Sequence, residues 1–139
     1  MVRKNYFSDS ELHIEDAELQ EKVNMMYLRD SLLNPVREAL GKITCTSGHR
    51  NKEHNARVGG AKNSHHLCLN GYAAADLRPD KCTLEELFWY IRNNFEYAEL
   101  ILEYDQGIVH VSKNLDHKKN IKRTSMRKVV NGEKVYESA

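Results

Sequence analysis

The first third of the chain repeats apolar residues at helical spacing. Between residues 16 and 40 an apolar side chain recurs every three or four positions, which predicts one long amphipathic helix or two collinear ones. Pro35 lacks an N–H donor and should kink or restart this helix, and Gly41 should end it. The apolar positions are Leu19, Val23, Met26, Tyr27, Leu32, Leu33, Val36 and Leu40.

The middle of the chain carries shorter patterns, typical of strands and short helices. The β-branched "ITCTS" predicts a strand, and "GHRNKEHNARVGG" predicts a turn, a short helix and a glycine break. "AAADL" is small and apolar, as expected of a strand buried on both faces. "TLEELFWYIRNN" predicts a helix opened by a capping box, in which Thr83 and Glu86 satisfy each other's backbone N–H groups.

The last third predicts four strands. "AELILEY" and "IVHVS" should be joined by a tight turn at residues 105–107, and "RKVVNGEKVYES" should form a hairpin that turns at Asn131 and Gly132. The order of elements favours an α+β fold, a small antiparallel sheet with N-terminal helices packed on it. With 139 residues and neither repeat nor linker, we expect one domain over residues 1–139.

Composition narrows the class of protein. The 40% apolar and 29% charged residues are those of an ordinary globular domain. No apolar run approaches the roughly 18 residues of a membrane span, and "MVRKNYFSDSELHIED" lacks the pattern of a signal peptide. We therefore expect synthesis in the cytoplasm, and action outside it only after delivery or release. Three cysteines without CxxC spacing predict reduced structural thiols.

The charge pattern offers little support for a polymer-binding protein. Net charge is +1, although residues 113–128 carry many bases and one acid. Such a run is usually a solvated face, and the alternative is a contact with an anionic polymer. It lacks the interleaved aromatic residues of nucleic-acid binders, so a nuclease ranks low. We expect a monomer with no nucleic-acid or membrane partner.

Two stretches offer metal ligands, "SHHLCLNGYAAAD" and "GIVHVS". Strand alternation turns Val109 and Val111 towards the core and His110 away from it. The same alternation turns Asp76 away from its alanine neighbours, and His66 lies in the loop before that strand. Catalytic zinc takes three His, Asp or Glu ligands and leaves one position open. On the residues alone, this metal site competes with ordinary loop and strand polar residues.

The combination of these blocks resembles a known family. "ITCTSGHRNKEHNARVGGAKNSHH…GYAAADL", followed by "LILEY…IVHVS", is similar to the D-alanyl-D-alanine carboxypeptidase family of zinc peptidases. The similarity is greatest to the small phage and bacterial peptidoglycan peptidases with a Hedgehog-type fold. Their blocks read "TSGYRS…N…VGG…SxHxxGxAxD" and "WxHxS". The resemblance spans residues 5–115.

The resemblance implies a site and an activity. One Zn²⁺ would be held by His66, Asp76 and His110. Arg50 would bind the substrate with its planar guanidinium, and Ser64 would also contact the substrate. The substrate would be a peptidoglycan stem peptide, cut at a bond that contains a D-amino acid. Carboxypeptidase or endopeptidase action would make the protein a cell-wall hydrolase of the endolysin type.

Two departures from the family pattern leave alternatives open. Asp76 follows His66 by ten residues, whereas the family spacing is seven, and His65 is a possible substitute ligand. The acid that relatives place three residues before the last histidine is Gly107 here. These departures keep a second interpretation open, a catalytically inactive zinc-binding module of the same fold.

The candidates for the general base are therefore Glu103 and Asp105. A two-residue turn at Gln106 and Gly107 would pair Glu103 with His110 on one face of the sheet. A longer turn would shift the register by one, point Glu103 away and bring Asp105 closer to the mouth of the site.

Overall fold

The computed structural model describes residues 4–139 as an α+β fold, which confirms the predicted class. Within these residues there are four α-helices and six strands, besides short π- and 3₁₀-helical turns. The helices are α1 (Leu19–Leu28), α2 (Asn34–Leu40), α3 (Lys52–Arg57) and α4 (Leu84–Asn94). The strands are β1 (Ile43–Ser47), β2 (Tyr72–Pro79), β3 (Glu99–Glu103), β4 (Ile108–Asn114), β5 (Arg123–Val130) and β6 (Glu133–Ser138).

The N-terminal helices are collinear, as the apolar spacing predicts. A widened π-turn, Arg29–Leu33, joins α1 to α2, and there the Asn34 N–H donates to the Arg29 carbonyl. Pro35 is the second residue of α2, where its missing N–H costs least, so the regular helix restarts at the predicted place. Gly41 ends the helix with a φ of 86°, a conformation that favours glycine.

The six strands form one sheet in the order β1-β2-β4-β3-β5-β6. All neighbours are antiparallel except β3 and β5, which are parallel. The expectation of a purely antiparallel sheet was wrong at this pair. Because β4 occupies the place between β2 and β3, the chain leaving β4 crosses to the far side of β3. It passes through a 3₁₀ turn, His117–Lys119, and enters β5 running in the direction of β3.

Helices α1 and α4 cover one face of the sheet and leave the other free for a site. Val109 and Val111 of β4 lie in the core with Ala73 and Ala75 of β2, which confirms the predicted alternation. Residues between them, including His110, point to the opposite face. The alternation of two short sequences thereby separates the hydrophobic core from the functional face.

Two local predictions at the ends of elements are confirmed. Thr83 and Glu86 form the capping box of α4, with hydrogen bonds of 3.0 and 3.1 Å. The β5–β6 hairpin turns at Asn131 and Gly132, with φ values of 52° and 80°. Both residues have the left-handed conformation that a two-residue hairpin turn requires. The basic residues 113–128 lie largely in regular structure, since this range begins at the end of β4 and continues into β5.

Within residues 4–139, no helix is both long enough and apolar enough to cross a membrane.

Candidate metal centre and catalytic cavity

A cavity of about 830 Å³ opens on the face of the sheet opposite the helices. Its walls come from β2, β3 and β4, from the segment around α3, and from the β5–β6 hairpin. It contains all three predicted metal ligands and two predicted catalytic or substrate-binding residues. These are His66, Asp76, His110, Glu103 and Arg50. Residues distant in sequence therefore meet in one cavity, as a catalytic site requires.

His66, Asp76 and His110 form a candidate metal-binding cluster, with one potential ligand atom of each within 4.8 Å of the others. Asp76 Oδ1 lies 3.1 Å from His66 Nε2 and 2.9 Å from His110 Nδ1. Ligands of a tetrahedral zinc at about 2.0–2.1 Å would be separated by about 3.3 Å, so a small outward movement accommodates the ion. Two imidazoles and a carboxylate are suitable donors for zinc.

The ring orientation of His66 is set by the backbone. Its Nδ1–H donates to the Gly48 carbonyl at 2.7 Å, which leaves Nε2 free to bind a metal. Gly48 is needed there, because a Cβ on this residue would lie 2.4 Å from the Leu12 carbonyl oxygen. Ser64 caps the 3₁₀ turn His65–Leu67, and its Oγ accepts from the His66 N–H at 3.2 Å. Ser64 lies outside the walls of the catalytic cavity, so here it positions a ligand.

His110 is oriented by a residue that the sequence analysis missed. Its Nε2–H donates to Glu99 Oε1 at 3.1 Å, so its Nδ1 faces the cluster. A carboxylate on the far nitrogen of a ligating histidine fixes the tautomer and increases the basicity of the ring. Strand alternation could have indicated Glu99, because it lies four residues before the candidate base Glu103 and therefore on the same face of β3. Only the pairing of β3 with β4 brings Glu99 to His110.

The longer loop between His66 and Asp76 does not prevent the ligands from converging. Three residues with positive φ bend the chain back into β2, namely Cys68, Asn70 and Gly71. His65 Nδ1 lies 2.8 Å from Ser112 Oγ, and its ring stacks on Tyr72 at 3.9 Å. His65 is not among the three residues of the metal-binding cluster. The loop absorbs the extra length and directs one of its two histidines to the cluster with Asp76 and His110.

The turn between β3 and β4 keeps Glu103 on the functional face. It spans four residues, 104–107, so Ile101 lies opposite His110 and Glu103 lies opposite Ile108. The expected direct pairing of Glu103 with His110 was wrong. The observed register is, however, shifted by two residues from the register of a two-residue turn. A shift of two keeps each side chain on the same face of the sheet, whereas a shift of one would move it to the other face. Glu103 lines the cavity, whereas Asp105 does not.

Arg127 of β5 holds both candidate acids. Its guanidinium donates to Asp105 Oδ1 and Oδ2 at 2.9 and 2.7 Å, and Nη2 lies 2.6 Å from Glu103 Oε1. Asp105 is therefore committed to a bidentate ion pair. Glu103 has one oxygen on Arg127, and burial together with the negative charge of Asp76 raises its pKa despite that contact. Arg127 lies within a basic run that the sequence analysis treated as surface.

The charges of the metal-free cluster are strongly coupled. Burial lowers the pKa of His110, but hydrogen bonds to Asp76 and Glu99 outweigh burial and raise it to about 10. Burial lowers the pKa of His66, and its contact with Asp76 only partly compensates. Burial raises the pKa of Asp76, but the hydrogen bond from His110 and the contact with His66 outweigh burial and hold that pKa well below its usual range. Asp76 is therefore ionised, as a metal ligand must be.

Arg50 lines the cavity beside the cluster. Its Nη2 lies 3.6 Å from Asp76 Oδ2, and its Nε–H donates to Ser47 Oγ at 3.1 Å. The Arg50 N–H donates to the His66 carbonyl at 2.8 Å, so the backbone of Arg50 and that of the ligand turn are joined. The contacts with Ser47 and Asp76 hold the guanidinium beside the cluster, on the wall of the cavity.

A comparison with known protein families identifies the family of this chain. The sequence model of the family described as Peptidase M15 matches residues 5–112, which is more than half of the chain. The matched range includes the three clustered ligands, Arg50 and Glu103, and it ends before the β5–β6 hairpin. A comparison with curated proteins found no match. The chain therefore belongs to the Peptidase M15 family, whose members are zinc-dependent peptidases of the D-alanyl-D-alanine carboxypeptidase type.

Proposed function

We propose that this protein is a zinc peptidase that hydrolyses peptide bonds containing D-amino acids in peptidoglycan stem peptides. The action would be that of a carboxypeptidase or an endopeptidase, in a cell-wall hydrolase of the endolysin type. One observation carries the proposal. In a member of a peptidase family, a His–Asp–His cluster shares one open cavity with the carboxylate of Glu103, which has only one of its oxygens on Arg127. Three protein ligands leave a position for water or substrate.

His66 Nε2, Asp76 Oδ1 and His110 Nδ1 would hold the zinc ion. When bound there, zinc supplies a Lewis acid that polarises the scissile carbonyl and makes water more acidic. Glu99 and the Gly48 carbonyl keep the two rings in the required tautomers. These two hydrogen bonds orient the rings as ligands of a small tetrahedral cation require.

Glu103 is the proposed general base. In the metal-free protein, burial raises the pKa of Glu103, and a raised pKa makes a carboxylate a stronger base. Glu103 would accept a proton from the attacking water and transfer that proton to the leaving amine. Arg50 would bind a carbonyl or carboxylate of the peptide and hold the scissile bond over the cluster. Arg127 keeps one oxygen of Glu103 fixed while the other is available.

One substitution distinguishes a peptidase from the inactive zinc-binding module, which would have no turnover to lose. Glu103→Gln keeps size and shape but removes the base. In a peptidase it should retain metal and lose at least about 100-fold in kcat, the usual contribution of a positioned base. Asp105→Asn is the matched control, because Asp105 is an acid on the same turn that lies outside the cavity, and it should retain most activity.

The assay would use purified peptidoglycan and a synthetic stem pentapeptide ending in D-Ala-D-Ala, with the L-Ala-L-Ala peptide as control. Mass spectrometry of the products identifies the bond, and elemental analysis counts zinc in each variant. Zinc-dependent cleavage of the D-peptide alone supports the proposal. A zinc-loaded wild type that leaves both substrates intact would favour the inactive module.

A further inference from the structure

The β5–β6 hairpin adds side chains to the cavity from beyond the family match. The matched range ends at residue 112, and the hairpin spans residues 123–138. It nevertheless lines the catalytic cavity through Arg127, Lys134 and Tyr136. A wall built by residues outside the shared family domain is a natural place for substrate preference to be set.

Register explains why these side chains face the cavity. Arg127 lies opposite Glu103 on one side and opposite Tyr136 on the other, so these three form one row across the sheet. Lys134 is two residues from Tyr136 and therefore shares its face. Lys128, on the opposite face of the same hairpin, lies over the Tyr104 ring.

Bases outnumber acids among the residues that line the cavity. Four of its lining residues are basic and three are acidic. The bases are Arg50, Arg78, Arg127 and Lys134, and the acids are Asp76, Glu99 and Glu103. Each acid is already engaged by a charged or titratable neighbour within the cavity. A divalent cation at the cluster would add positive charge to the cavity.

Lys134 is the base that remains available. Arg127 is neutralised by two carboxylates, Arg78 lies 3.6 Å from Asp80, and Arg50 lies 3.6 Å from Asp76. Among residues 4–139, Lys134 has no ion-pair partner within 4.0 Å. Its side chain is exposed at the mouth of the cavity, beside the half-exposed Tyr136. An ammonium and a phenol on one face offer several hydrogen-bond donors to an anion.

We propose that Lys134 and Tyr136 form a carboxylate-binding subsite that selects peptides with an anionic group beyond the scissile bond. This inference rests on the proposed function, because it assigns a substrate feature to the same cavity. The carboxylate is either the C-terminus of the peptide or the side chain of an acidic stem residue. Both sources present the same planar anion to Lys134, so the experiment separates them.

The test compares three peptides of one sequence: the free acid, the C-terminal amide, and a peptide whose acidic side chain is a carboxamide. Binding is measured by calorimetry on zinc-loaded Glu103→Gln, which does not depend on turnover, and cleavage is measured on the otherwise wild-type protein. The variants are Lys134→Met and Tyr136→Phe. Lys128→Met is the control, with the same chemical change on the opposite face of the hairpin.

We expect Lys134→Met to weaken binding of the preferred acid by about 10-fold, typical of one charge-assisted contact at a partly open site. Tyr136→Phe should weaken it by a smaller factor, and Lys128→Met should leave it unchanged. The peptide that lacks the recognised carboxylate should bind the wild type and Lys134→Met equally. That peptide thereby identifies which carboxylate is bound.

The outcomes separate the subsite from the proposed function. Carboxylate-dependent binding that Lys134→Met removes, without cleavage by the wild type, would support the subsite and contradict the peptidase proposal. Cleavage with the same acid preference in Lys134→Met as in the wild type would overturn the subsite and leave the peptidase proposal intact. Absence of both binding and cleavage would overturn both.

Discussion

Arg127→Met tests whether the buried ion pairs around the proposed base hold the cavity wall together. The Arg127 side chain is 9% exposed, and that of Glu103 is 12% exposed. Methionine keeps most of the aliphatic volume and removes the charge. The substitution leaves two neighbouring carboxylates, Glu103 and Asp105, without their shared cation.

The expected loss follows from the burial of the pair. Removing one partner of a buried ion pair costs about 3–5 kcal/mol, because the remaining charge stays desolvated. Asp105 belongs to an exposed turn, so we take the lower end, about 3 kcal/mol. With a urea m-value of about 2 kcal/mol/M, the unfolding midpoint should fall by about 1.5 M.

The assay is urea unfolding of chelator-treated proteins at pH 7, because bound metal would add its own stabilisation. Fluorescence of Trp89, the single tryptophan, reports the transition. Arg78→Met is the matched control, an arginine of the same cavity whose side chain is 55% exposed and lies 3.6 Å from Asp80. Its loss should stay below about 1 kcal/mol.

The sign of the pH dependence provides a second check on Arg127→Met. Burial and Asp76 raise the pKa of Glu103, so its charged form opposes folding as pH rises through that pKa. A hydrogen bond from Arg127 lowers the pKa of Asp105, which stabilises the fold at higher pH and is lost as pH falls. Without Arg127, both charged carboxylates destabilise the fold at pH 7. The difference in the free energy of unfolding between wild type and variant should therefore shrink near pH 4, where the carboxylates are more protonated. A loss below 1 kcal/mol at pH 7, or one independent of pH, would refute the ion-pair reasoning.

Three further predictions concern the metal centre. His110→Ala should lose the bound zinc by elemental analysis, whereas His65→Ala should keep it, and equal zinc in both would contradict the assigned cluster. Glu99→Gln should weaken zinc affinity about 10–100-fold in competition with a chelator, because it removes the carboxylate behind a ligand; unchanged affinity would deny that role. Zinc binding at pH 7 should release about one proton, measured by calorimetry in two buffers, since the pKa of metal-free His110 is about 10. The stability that this proton gives the metal-free protein should be lost as pH rises from 6.5 to 10. No buffer dependence of the binding enthalpy would contradict the protonated state.

Local sequence was enough to predict most of the regular structure. Apolar spacing gave the N-terminal helices, and Pro35 and Gly41 marked the restart and the end. Alternation placed His110 on the face opposite the core valines before any strand pairing was known. The resemblance to a known family implied the three candidate ligands, because each stands in a short block that matches the family pattern. These features depend on a few neighbouring residues, so their signals survive in the linear sequence.

The rest depended on which strands pair and in which register. Glu99 reaches His110 only because β3 lies beside β4, and Arg127 reaches Glu103 only because β5 joins β3 in parallel. The turn at residues 105–107 predicts that β3 pairs with β4 but leaves the register open. The parallel pairing of β3 with β5 has no local signature, since it joins strands that are distant in the chain. The four-residue turn kept Glu103 on the functional face by a register shift of two. The sequence by itself determined the regular elements and the candidate ligands. Tertiary structure alone decided which charged residues surround these candidates, because the contacts join residues far apart in the chain.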